Sequence, residues 1–84
     1  MNFSKYKYRP EDFKGIQFMF DDLAAFYQAL EAYQANKSFV NKLQLKDRAE
    51  DVELTLKHRT LNGLLNPALA GEIDSYIGEL FYDA

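Results

Sequence analysis

From Pro10 to Ala35 the apolar residues return at helical spacing, and strong helix formers fill the positions between them. Wound at about 100° per residue, Phe13, Ile16, Met19, Phe20, Leu23, Phe26, Tyr27, Leu30 and Tyr33 gather on one broad stripe. A second stripe lies nearly opposite: Phe18, Ala25, Ala29 and Ala32, flanked by Asp21, Asp22 and Gln28. Arg9-Pro10 followed by Glu11 and Asp12 predicts the start, with proline in the first turn and acids at the positive end of the helix dipole. Gly15 is the weak point of this helix. The competing pattern makes "IQFMF" a short strand, with Asp21 or Asp22 capping a later helix.

Asn36-Lys37-Ser38 reads as a break, with Ser38 capping a short segment through Leu45. Asp47 and Glu50 then stand at capping-box spacing, although Ser or Thr would normally come first. Ala49, Val52 and Leu56 follow on one face, and Glu53 precedes Lys57 by four residues, the favourable order for a helix-surface pair. The alternative is a hairpin around 42–57, because Leu43/Leu45 and Val52/Leu54/Leu56 alternate with polar residues. Asn62-Gly63 predicts a left-handed stop, and Asn66-Pro67 a capped start for a last helix. Leu69, Ile73, Tyr76, Ile77 and Leu80 form its apolar face. Gly71 and Gly78 lie on its other side, where they permit close backbone approach, and Asp83 beside the terminal carboxylate predicts a frayed end.

The expected fold is therefore all-α: a single domain over residues 1–84, a compact three- to four-helix bundle around a long amphipathic first helix. Residues 1–9 read as a basic, aromatic arm. The alternative is α+β with the short hairpin. At 84 residues only one core can be filled, and the absence of cysteine removes disulfides as a support. The longest apolar run, Leu23 to Tyr27, is far short of the ~20 residues of a membrane span, and "MNFSKYKYRP" has no signal-like apolar region. The expected location is the cytoplasm, with no membrane contact.

Charge changes the picture more than composition does. The net charge is −3, yet all ten basic residues lie in the first 59 positions, and from Thr60 onward only Glu72, Asp74, Glu79 and Asp83 are charged. A general nucleic-acid binder needs phosphate-neutralising bases. "SKYKYR" offers the one alternative of that kind: a nucleic-acid accessory protein using Lys5, Tyr6, Lys7, Tyr8 and Arg9 with Lys42, Lys46 and Arg48. A helix-turn-helix with its turn at Asn62–Asn66 fails, because its second helix would carry acids and no base.

Catalytic chemistry finds little support. His58 has Leu54, Thr55, Leu61 and Asn62 at the positions where a helical metal partner would stand. Asp47, Glu50 and Asp51 cluster, but "DRAEDVE" lacks the glycine and oxygen spacing of a calcium loop. Asp21-Asp22 and Glu11-Asp12 diverge on a helix, no serine sits in a nucleophile elbow, and the dispersed glycines form no phosphate cradle. No catalytic, metal or cofactor site is expected.

The second apolar stripe instead points to contact with another protein, or with a second copy in a homodimer, unless the later helices cover it. The expected function is a non-enzymatic protein–protein interaction module: a small acidic regulator, inhibitor, immunity-type or assembly protein. Its candidate interface is Phe18, Ala25, Ala29 and Ala32, with Phe81 and Tyr82 near the carboxyl end as a second patch.

Overall fold

The computed structural model describes residues 3–16 and 18–84. Three α-helices make up the bundle: α1 (Met19–Ala35), α2 (Phe39–Leu61) and α3 (Pro67–Asp83), preceded by a 3-10 turn at Pro10–Phe13. Among the described residues there is no strand, so the hairpin around 42–57 does not form; of the "IQFMF" segment Gln17 lies outside the described residues, and Ile16 and Phe18–Phe20 are not in a strand. The fold is all-α with three helices rather than four.

The expected first helix is broken. Pro10 starts the 3-10 turn as its position predicts, but the chain leaves helical geometry around Gly15 and re-enters it only at Met19. The α1 N-cap is Phe18, in the left-handed region at φ 71° with no side-chain cap, so neither Asp21 nor Asp22 takes that place. Both acids lie instead in the first turn, where they complement the dipole.

The segments 38–45 and 47–61 are one continuous helix of 23 residues, about 34 Å at 1.5 Å per residue, nearly the 38 Å length of the molecule. Ser38 caps it by accepting from the Asn41 N–H at 3.1 Å. Asp47, the expected cap of a separate helix, sits inside it and caps nothing. Gly63 at φ 74° makes the left-handed stop, and the Asn66 side chain accepts from the Ala68 and Leu69 N–H groups at 2.8 and 3.3 Å to start α3. α3 holds its helix to Asp83, and Ala84 packs back against the core.

The helices run up, down and up. Thr55 of α2 donates to the Asp22 carboxylate near the start of α1, while Lys42, near the start of α2, lies over Tyr33 late in α1 and Phe81 late in α3. α2 packs against both other helices, while α1 packs against α2, the 3-10 turn and the amino-terminal segment and supplies most of the fully buried side chains. The gap between α1 and α3 is closed by the amino-terminal segment. Tyr6 stacks on Tyr27 of α1, the Tyr27 hydroxyl donates to the Tyr8 carbonyl, and the Lys7 N–H donates to the Tyr76 hydroxyl of α3 at 3.0 Å. A short chain thus uses residues 3–13 as a fourth wall instead of a fourth helix.

Met19, Leu23, Phe26 and Tyr27 of α1 are fully buried with Leu45 and Val52 of α2 and Ile73 of α3. Each such side chain contributes about 1.5–3 kcal/mol by leaving water. Phe20 is the member of the predicted α1 stripe that stays exposed, lying under the Lys14 ammonium.

Candidate interaction surface

Because Phe18 caps α1 instead of lying within it, the helical alignment of Phe18 with Ala25, Ala29 and Ala32 does not exist. Asp22, Ala25 and Ala29 follow one another at i, i+3 and i+7, on the side where Asp22 accepts from Thr55 of α2. Ala29 packs against the core there, Ala25 is half-buried, and Ala32 is exposed. The chain itself thus covers Ala25 and Ala29 in part and leaves Phe18 and Ala32 exposed. Phe18 meets the same α1–α2 seam from the start of α1, in a hollow it shares with Asp22 and Thr55. It is 53% exposed, with the Arg59 guanidinium 5.4 Å from its ring centre, and Leu54 and His58 line the same shallow hollow.

At the other end, Phe81 is half-buried against the core and faces Lys42, whereas Tyr82 is 84% exposed and meets the Phe81 ring edge-on. The sequence-predicted interface is thus divided between a partly covered seam, a strained cap at its edge and the end of α3.

Sequence reasoning missed the outer face of α2. Phe39 (76% exposed), Leu43, Leu54 and Leu61 (76%) lie within an arc of about 60° on that helix, with Val40 beside them. Asp47, Glu50 and Lys57 interrupt the stripe. The signal was present in the spacing, but treating 38–45 and 47–61 as separate elements hid a stripe that spans both.

A second feature lies between α2 and α3. Two shallow hollows share Glu53 and Asp74 and so make one groove, floored by Ala49, Leu56, Ala70 and Ile77. Gly71, Asp74 and Gly78 follow one another at i, i+3 and i+7 along its α3 edge. A Cβ at either glycine would meet nothing within 4 Å, so the close approach expected at these positions is not made by this chain. Neither Glu53 nor Asp74 has an ion-pair partner among the described residues, and Glu53 does not reach Lys57.

The residues of the nucleic-acid alternative are largely engaged. Tyr6 is buried with its ring face against Tyr27, Lys5 pairs with Glu31 at 2.8 Å, and the Tyr8 hydroxyl donates to Glu72 at 3.3 Å. The Glu31 carboxylate holds the Lys5 ammonium above its usual range. Lys7 lies over the Tyr8 ring, Arg9 pairs with Asp12, Arg48 pairs with Asp51 at 2.9 Å, and Lys42 sits between Tyr33 and Phe81. Lys46 is exposed at the rim of the α2–α3 groove.

Among the described residues, no three His, Cys, Asp or Glu side chains converge to hold a metal ion, and no helix is long and apolar enough to cross a membrane. His58 is exposed and lines the hollow at Phe18. Comparison of the chain with protein-family models, curated proteins and solved structures finds no match.

Proposed function

We propose that this chain is a non-enzymatic protein-interaction module, a small acidic regulator, inhibitor or assembly factor that works by contact. The observation that carries this reading is the outer face of α2. Scattered apolar surface residues need no explanation, but an aligned stripe of exposed Phe and Leu on one helix is the kind of surface that another protein covers. Phe39, Val40 and Leu43 form its densest part. All three sit in the first turns of a helix whose own core contacts begin with Leu45.

The test is a native pull-down comparing the wild-type chain with a Phe39→Ser/Leu43→Ser variant, each checked for an unchanged helical signal and cooperative melting. Both positions are exposed, so the fold should survive. A defined set of proteins recovered by the wild type and lost by the variant is the expected result. Equal recovery by both would remove this surface from the proposal, and recovery of nothing under any native condition would remove the reading.

A further inference from the structure

We infer that the outer face of α2 binds the same face of a second copy of this chain, the two helices lying antiparallel about a two-fold axis at the level of Val52. The inference rests on the proposed reading of that face as an interaction surface and names its occupant.

Leu43, Asp47, Glu50, Leu54, Lys57 and Leu61 are all exposed and follow one another at alternating steps of four and three residues. That is the seam spacing of a coiled coil. Leu45, Val52 and Leu56, which join the core, lie on the opposite side of the helix, so a partner helix along the seam lies away from α1 and α3.

Charge selects how two such seams can meet. In a parallel pair each residue faces its own copy, which sets Asp47 on Asp47, Glu50 on Glu50 and Lys57 on Lys57. An antiparallel pair with 43 opposite 61 instead joins Leu43 to Leu61 and Asp47 to Lys57 of the second copy, each twice by symmetry. Phe39 and Val40 then cover the end of the second α2 that carries exposed Leu61, with exposed Leu64 in the turn just beyond. A slide of one heptad either way loses this match. With 43 opposite 54, Asp47 meets Glu50; with 54 opposite 57, Leu54 meets Lys57 and Leu43 passes the end of α2. The seam is self-complementary in one register. Asp47, Glu50 and Lys57 have no ion-pair partner within the chain among the described residues, so no internal pair has to break.

Two contacts oppose the pairing: Glu50 faces Leu54, and Glu53 comes near its own copy beside the axis. A single helix pair is also small beside the about 1,200–2,000 Å² of stable interfaces. The dissociation constant expected is therefore roughly 10–100 μM.

Sedimentation velocity of the full chain, from about 5 μM to 1 mM, spans that constant. Asp47→Lys and Lys57→Asp each set like charges together and should weaken the dimer about tenfold, although one makes the net charge less negative and the other more. The double variant Asp47→Lys/Lys57→Asp should restore it, and so should an equimolar mixture of the two single variants. Glu50→Leu should tighten it about tenfold. All three positions are exposed, and an unchanged helical signal with cooperative melting checks each fold. Orientation is read by cross-linking, since the chain has no cysteine of its own. Mixed Leu43→Cys and Leu61→Cys chains should form a disulfide dimer that neither forms alone.

A monomer throughout, a dimer indifferent to both charge reversals, or Leu43→Cys chains that cross-link to themselves would overturn the pairing. In each of those cases the pull-down with Phe39→Ser/Leu43→Ser still decides whether the same face meets a different protein.

Discussion

The ring of Tyr6 lies flat on the ring of Tyr27, centroids 3.8 Å apart and planes 4° from parallel. Phe3 packs its ring 5.6 Å from the same tyrosine. A segment that reads from sequence as a basic arm is therefore half apolar wall, with its lysines turned outward and two of its aromatics turned in.

Tyr6 and Tyr27 should respond oppositely to loss of a hydroxyl. The Tyr6 hydroxyl is buried without a hydrogen-bond partner, and such a group costs about 1–3 kcal/mol. Tyr6→Phe keeps the stacked ring and should be neutral or stabilising. Tyr27→Phe loses the bond to the Tyr8 carbonyl and should destabilise by about 1 kcal/mol. Tyr6→Ala removes the ring and should cost about 3 kcal/mol or more. Urea unfolding of the three variants checks the order, and a stable Tyr6→Ala would show that the segment is dispensable.

Both tyrosines also make the fold sensitive to alkali. Burial raises the Tyr27 hydroxyl well above its ordinary value of 10.0, with smaller help from Tyr76 and Tyr6. Burial likewise raises Tyr6, followed by the Glu31 carboxylate. In the unfolded chain both ionise near pH 10, whereas the folded state holds them neutral. Their contribution to stability is thus intact below about pH 10 and falls as pH rises beyond it. Melting temperature followed from about pH 8 to 11.5 should be flat and then decline. Tyr27→Phe should soften the decline, and an unchanged slope in that variant would assign it to other groups.

One substitution should change sign along the chain. Gly71→Ala and Gly78→Ala place a methyl in open space on a regular helix, and each should stabilise by roughly 0.5–1 kcal/mol. Gly63→Ala places one on a residue at φ 74° and should destabilise by about 1 kcal/mol. Thermal melts of the single variants suffice. A loss of stability at Gly71 or Gly78 would mean that those positions are packed.

What the sequence disclosed was its local chemistry: the Ser38 and Asn66 caps, Pro67 as the first residue of α3, and the stop at Gly63. Each works through neighbours within a few residues, so each is readable from a short window. The fold-back of residues 3–8 depends on Tyr27, Glu72 and Tyr76, far along the chain, and no local pattern announces it. Asp47 misled for the opposite reason. Its spacing to Glu50 imitates a cap, while the unbroken run from Phe39 to Leu61 gains more from staying helical across it. The interface suffered from both errors, since a break at Phe18 and a join at Leu45–Asp47 rearranged which apolar residues share a face.

Phe18 is where local strain and a surface contact oppose each other. A left-handed conformation costs a non-glycine residue roughly 1–2 kcal/mol, and asparagine tolerates it better because its side chain bonds to nearby backbone. Phe18→Asn should relieve that strain and add a capping oxygen at the start of α1. It also removes the ring under Arg59, an exposed cation–π contact of about 0.5–1 kcal/mol. The net expectation is a gain of about 0.5–1 kcal/mol. In an Arg59→Gln background the ring has no cation to hold, so the gain from Phe18→Asn should be larger there. A double-mutant cycle by urea unfolding measures this coupling directly. Should Phe18→Asn destabilise equally with and without Arg59, the ring would be held by packing against the hollow around Leu54, and relief of backbone strain would be the smaller effect.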